Sequence, residues 1–318
     1  MYVKLFISIL ILVQVSFAVG QSKNQAPGNQ PTSAASESKK EIPSNIPQLA
    51  ISLNEQGFQL YFNHKYEEAI EKFQQAGKIA PESLILKANL ANTLVKAKRY
   101  EEARDFCRRL ISESNAGGDL YAILGSALYE LGDYPESIAA YRKAVESDGE
   151  NPELINDFGV ALYSNQENQE AIAAFQKSLG LQPNSADTLN NYGVALITSK
   201  RFEEAAKVLK RSLALKPEMA QSHNNLGIAY FHLGKKKDSQ KSYLEAVRLN
   251  PQWSYAQYNL GLSYLADGKR EAARECFNAL RRMDSELAEK FEKQLYRNYI
   301  VDVPKPVQAL TKKSDGDN

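Results

Sequence analysis

Cysteine is nearly absent from this chain: only Cys107 and Cys276 occur among its 318 residues. An exported domain stapled by disulfides carries more, so the fold must hold itself together by packing. Asn-x-Ser/Thr acceptors for N-glycosylation are missing altogether, which favours a bacterial over a eukaryotic secretory origin. Neither glycine, at 17 residues, nor proline, at 12, is enriched, and this excludes a collagen-like or low-complexity chain. An excess of one charge is also lacking. With 39 Lys and Arg against 38 Asp and Glu, nothing electrostatic points to nucleic acid or to an anionic membrane surface. The local basic cluster GKKKDSQK, Gly234 to Lys241, reads as a solvated loop between helices.

Catalytic signatures are missing too. The chain has no Gly-rich phosphate loop and no G-x-S-x-G elbow. Its three histidines are His64, His223 and His232. His64 stands far from the other two, which share one predicted helix at a spacing that points them to different sides. No cysteine lies near them at ligand spacing. No metal, no cofactor and no small-molecule substrate are expected. Acidic pairs such as Glu101-Glu102 and Glu203-Glu204 fall early in predicted helices, where they suit the positive end of the helix dipole.

The ends of the chain differ from its middle. MYVKLFISILILVQVSFAVG carries one charge, Lys4, before an apolar run from Leu5 to Val13, and Ala18 and Gly20 hold the −3 and −1 spacing of a signal-peptidase site. Residues 1–20 therefore read as a secretory signal peptide. The alternative is an uncleaved membrane anchor, although the run is short beside the roughly 20 residues of a spanning helix and Gln14 interrupts it. Cleavage makes the product periplasmic or secreted; retention makes it membrane-anchored. Residues 21–49, rich in Gln, Ser, Asn and Pro, read as a flexible linker, and 301–318 as a disordered tail.

Between these ends the chain repeats itself. NYGVAL begins at Asn191, NLGIAY at Asn225 and NLGLSY at Asn259, so the interval is constant. Stepping by 34 gives Gly57, Ala91, Gly125, Gly159, Gly193, Gly227 and Gly261, all small. Stepping on by twelve from each gives Ala69, Ala103, Ser137, Ala171, Ala205, Ser239 or Ala273, small again. Four further on stand Phe73, Cys107, Tyr141, Phe175, Leu209, Tyr243 and Phe277, mostly aromatic. Pro81, Pro183, Pro217 and Pro251 close four of the units. Each unit holds two stretches of helical periodicity. The small residues let two helices approach closely, the aromatic fills the gap against the next unit, and the proline ends the second helix. One such pair cannot bury its apolar face alone; stacked neighbours can.

This pattern resembles the tetratricopeptide repeat, a 34-residue helix–turn–helix with small residues at its eighth and twentieth positions, an aromatic at the twenty-fourth and proline at the thirty-second. The resemblance implies an all-α fold, a right-handed superhelical solenoid of about seven repeats: 50–83, 84–117, 118–151, 152–185, 186–219, 220–253 and 254–287. The usual Trp at the fourth position is absent throughout, and the proline is missing in repeats 2, 3 and 7. In repeat 3, Pro152 comes late in the pattern, which predicts a looser junction. SELAEKFEKQLYRNYI, 285–300, has Leu287, Phe291 and Leu295 on one face and reads as the capping helix a solenoid requires. Cys107 and Cys276 fall on second helices five repeats apart, too far for a disulfide.

The resemblance further implies a non-enzymatic scaffold that binds polypeptides along the groove lined by its first helices. Carried over position by position, the lining includes Asn89, Asn156, Asn190, Asn191, Asn224, Asn225, Tyr258 and Asn259, with Tyr129, Tyr163 and Phe231 as aromatic anchors. An amide both donates and accepts, so this column is expected to pair with the backbone of an extended peptide. The clamps that hold a terminal carboxylate are excluded, because Ala88 replaces the needed Lys and Ile123 the needed Asn. Exported proteins of this kind serve envelope assembly and related complexes. Self-assembly, in which repeats of one copy pack on another, is the competing reading.

Overall fold

The computed structural model describes residues 46–113 and 117–296. Among them it contains fifteen α-helices and no strand. The readings for residues 1–20, for most of the linker and for the 301–318 tail lie outside the described residues. The end of the linker is corrected. Helix α1 begins at Gln48 and Ile46 packs against the first core cluster, because Pro47 opens the helix and Ala50 is buried beside it.

The helices run α1 (Gln48–Phe62), α2 (Tyr66–Ile79), α3 (Leu84–Lys96), α4 (Tyr100–Glu113), α5 (Gly118–Glu130), α6 (Tyr134–Ser147), α7 (Pro152–Ser164), α8 (Asn168–Leu181), α9 (Ala186–Thr198) and α10 (Phe202–Leu215). They continue as α11 (Ala220–His232), α12 (Lys236–Leu249), α13 (Ser254–Ala266), α14 (Arg270–Met283) and α15 (Ser285–Tyr296). Odd-numbered helices up to α13 are the first helices of the repeats. The chain divides into two compact units, Met1–Pro217 with α1–α10 and Glu218–Asn318 with α11–α15. Within each unit every first helix packs on its own second helix, and the second helix packs on the next first helix. First helices also touch each other: α3 with α5, α5 with α7 and α7 with α9 in the first unit, and α11 with α13 in the second.

The glycine column has a direct physical reason. A Cβ placed on Gly57 would lie 2.7 Å from the Phe73 ring, on Gly159 2.8 Å from Phe175, on Gly193 2.6 Å from Leu209, and on Gly227 2.6 Å from Tyr243. The twenty-fourth residue therefore seats on the glycine of its own repeat, not only against the next repeat as the sequence suggested. Repeat 2 satisfies the same constraint in reverse: Ala91 carries a Cβ, and its partner position holds Cys107, the smallest residue in that column. Both are fully buried in one cluster. Where the second small residue is serine, its hydroxyl donates across the same contact, Ser137 Oγ to the Gly125 carbonyl at 2.7 Å and Ser239 Oγ to the Gly227 carbonyl at 2.9 Å.

The last repeat departs from the pattern. Gly261 receives Phe291 of α15, 2.6 Å from the ideal Cβ position, instead of Phe277. Phe277 stacks on Phe291 at 6.5 Å. Helix α15 buries Leu287, Ala288, Phe291 and Leu295 against α13 and α14. Its apolar face is the cap expected of it, and it also supplies the aromatic for the final glycine.

Each inter-helix turn places one residue in the left-handed region: His64, Lys98, Gly132, Gln166, Lys200, Gly234 and Gly268, with φ between 60° and 82°. This column keeps the same period as the glycines on the first helices. In each turn the next residue's N–H reaches back to the end of the first helix, as in Arg201 N–H to Leu196 O at 2.8 Å, closing a Schellman-type cap. The junction after repeat 3 is not loose. Pro152 is the first helical residue of α7, where it costs no hydrogen bond, and the Asn151 side chain accepts from Leu154 N–H at 3.0 Å. The basic cluster at 234–241 is no loop either: from Lys236 it forms the first turns of α12, and Lys236 Nζ donates to the Ala266 carbonyl.

Candidate functional site

The asparagine column is built into the structure as inter-repeat rungs. Asn89 Nδ2 donates to Asn54 Oδ1 at 2.8 Å, Asn191 Nδ2 to Asn156 Oδ1 at 3.2 Å, and Asn259 Nδ2 to Asn224 Oδ1 at 2.9 Å. Every rung joins the sixth position of one repeat to the fifth position of the repeat before. Each doublet contributes one amide to a rung, Asn191 to the repeat before it and Asn224 to the repeat after it. Asn190, Asn224, Asn225 and Asn259 are buried, as is Asn54. Tyr258 is fully buried, its ring edge-on to Phe291 at 5.6 Å. As the side chains stand, these five predicted site residues (Asn190, Asn224, Asn225, Tyr258 and Asn259) are interior, and Asn224 and Asn259 act between repeats before any ligand arrives.

A second ladder has the same separation. Ser164 Oγ donates to Tyr129 Oη at 3.3 Å, and the hydroxyls of Tyr163 and Thr198 meet at 3.0 Å. Tyr163 is buried, whereas Tyr129 keeps part of its ring open. Asn89, Asn156, Asn191 and Phe231 are also partly open. Within each unit the predicted residues therefore divide into buried and partly exposed ones on the first helices.

Two junctions of the first unit lack the amide pair. Repeat 4 carries Asp157 where a rung would need asparagine, and the facing fifth position of repeat 3 is Ala122. One repeat earlier the corresponding pair is Ala88 and Ile123, both packed against a core cluster. Asp157 is open to solvent on one side, and its carboxylate accepts a hydrogen bond from the neighbouring Asn156 Nδ2 at 3.2 Å. Protein crowds it on the other sides. That crowding pushes its carboxyl up to about 6, against the opposing effects of Asn156 and the more distant Lys96. Sequence reading passed over Asp157; the signal available was an acid at a position that repeats 2, 5, 6 and 7 fill with asparagine.

Cys107 and Cys276 are buried free thiols, pushed up to about 12 by burial. Burial lowers the His232 imidazole. Among the described residues no group of histidine, cysteine and carboxylate side chains is arranged to hold a metal ion. Glu102 and Glu204 pair with Arg99 and Arg201 at the starts of their helices, at 2.7 and 2.6 Å.

Four family models described as tetratricopeptide repeat match the chain: one over residues 116–153, 124–186 and 156–220, and others over 63–126, 220–253 and 255–284. The chain belongs to the tetratricopeptide repeat family. A solved tetratricopeptide repeat protein from Parabacteroides merdae is 16% identical, with a TM-score of 0.59 over 78% of this chain and 99% of that one. The C-terminal part of a tetratricopeptide repeat-containing protein from Cytophaga hutchinsonii is 17% identical, with a TM-score of 0.55 over 74% of this chain and 98% of that one. These likenesses concern the fold. No curated protein matches the chain. Within the tetratricopeptide frame the exposed strip of first-helix side chains is the candidate surface, and the second helices form its backing. Among the described residues no helix is long and apolar enough to cross a membrane.

Proposed function

We propose that this protein is a non-enzymatic scaffold that binds other polypeptides along the face formed by its first helices. The observation that carries the reading is the division of that face. Its amides are committed to rungs that hold neighbouring first helices in register, while in the first unit Tyr129, Val160 and parts of Asn89, Asn156 and Asn191, and in the second Phe231, stay open. A rigid, partly apolar strip with polar edges suits an extended peptide, because little ordering is needed on binding. The leader-like residues 1–20 support an exported protein, and a role in envelope assembly or a related exported complex is the setting we favour.

Selection from a random dodecapeptide display library on the immobilised full chain tests this. Enriched peptides are expected, and Val160→Glu on α7 should weaken them at least tenfold, whereas Lys177→Glu on the second helix α8 should not. Failure to enrich any peptide, or equal loss in both variants, would overturn the reading.

A further inference from the structure

The second helices of the first unit are not alike in charge. On α4 and α6, Arg108 and Arg142 pair with an acid of the next repeat, Glu136 and Glu170. Helices α8 and α10 differ. From Ala171 to Gln182, and again from Ala205 to Lys216, the chain has no acid. Those stretches carry Lys177 on α8 and Lys207, Lys210 and Arg211 on α10.

A spacing of four puts Lys177 and Leu181 on one face of α8, and Lys207, Arg211 and Leu215 on one face of α10. All five are exposed, the leucines to 44% and 42%. Repeats 2 and 3 hold Glu113 and Ser147 where these leucines stand. Among the described residues Lys177, Lys207 and Arg211 make no ion pair. Arg211 instead donates to the Pro183 carbonyl at 3.2 Å, in the turn just beyond Leu181. That bond joins the two stripes into one surface, with cations in one row and leucines one helical turn, about 5 Å, further along.

We infer that this outer surface of α8 and α10 rests on an anionic phospholipid bilayer, with Leu181 and Leu215 entering among the headgroups while Lys177, Lys207 and Arg211 meet their phosphates. A bilayer satisfies both kinds of group at once, because its anions lie at the surface and its apolar region begins about one helical turn beneath. Exposed cations without acids between them draw the surface in, and the leucines then lose their contact with water. The leader-like residues 1–20 support a membrane within reach. The surface is separate from the first-helix face, so this inference and the scaffold reading can each fail alone.

The test floats the full chain with vesicles of equal phosphatidylglycerol and phosphatidylcholine, and with vesicles of phosphatidylcholine alone. The apolar residues 1–20 would enter both alike, so the preference for the anionic vesicles is the readout. A preference of at least tenfold in 0.1 M salt is expected, shrinking as salt is raised. Lys177→Gln, Lys207→Gln and Arg211→Gln should each weaken anionic binding about fivefold, and the three together should abolish the preference. Leu181→Ser with Leu215→Ser should weaken it about tenfold without changing any charge. An equal loss of charge elsewhere, Lys78→Gln with Lys98→Gln and Lys290→Gln, should leave most of it. No preference for anionic vesicles would overturn the inference, as would an equal loss in the charge-matched control. Unchanged binding after loss of both leucines, with dextran sulfate bound as tightly as the vesicles, would overturn it in favour of a soluble polyanion. If the triple glutamine variant loses its helical circular dichroism, the leucine pair and the salt series decide.

Discussion

At the scale of single residues, the turns hold the clearest unused information. Lys200 occupies the left-handed region at φ 60°, a conformation that costs a residue with a Cβ about 1–2 kcal/mol. Glycine there gives back part of that relief through a more flexible unfolded chain. Lys200→Gly is expected to raise stability by about 0.5–1 kcal/mol, read from the urea midpoint. This column was legible in principle, since Gly132, Gly234 and Gly268 all fall in phase with the repeat, but Lys, His and Gln at the other turns hide it. The asparagines teach the opposite lesson. Their positions were readable, their partners were not, because a rung is a relation between helices that no single repeat displays. Asn259→Ala should cost about 1–3 kcal/mol by orphaning the buried Asn224 amide, and adding Asn224→Ala should cost clearly less than a second independent loss. Asp157 has a folded value raised to about 6 from 3.8. Its stabilising contribution is thus complete below the ordinary carboxylate range and lost as pH rises through 6. The gain in denaturation midpoint from Asp157→Asn should therefore be larger at pH 7.5 than at pH 4.

At the scale of elements, helix pairs are set by paired volumes. The small-residue and aromatic columns revealed the helix pairing from sequence alone, since both keep the period of the repeat. What they left open is the direction of the contact, onto the repeat's own glycine. Gly159→Ala brings a Cβ to 2.8 Å from the Phe175 ring and should cost about 1–3 kcal/mol by overpacking. Combining it with Phe175→Cys, which copies the Ala91 and Cys107 pair of repeat 2, should show a coupling of about 0.5–3 kcal/mol in a double-mutant cycle. The cap was legible as an amphipathic helix, but its role as donor of the aromatic over Gly261 was not, because Phe277 stood at the periodic position. Phe291 is fully buried, so Phe291→Ala should cost about 3–5 kcal/mol and melt α13 to α15 ahead of the first unit. Amide hydrogen exchange would resolve that order.

At the scale of the whole molecule, neutrality conceals a partition. Composition excluded a strong field and could not show that lysine and arginine are scarce on the first helices, where only Lys87 and Lys96 occur, since only the assignment of helices to two sets reveals it. The central claim is that the first-helix face, and not the backs of the second helices, meets partner polypeptides. The most direct measurement places a photoreactive amino acid at Val160 on α7 in one full-length variant and at Lys177 on α8 in another, each expressed in the cells that make the protein. The account predicts adducts with a defined set of other polypeptides from position 160, and few or none from position 177. Equal adducts from both positions, or adducts only between copies of this chain, would contradict it.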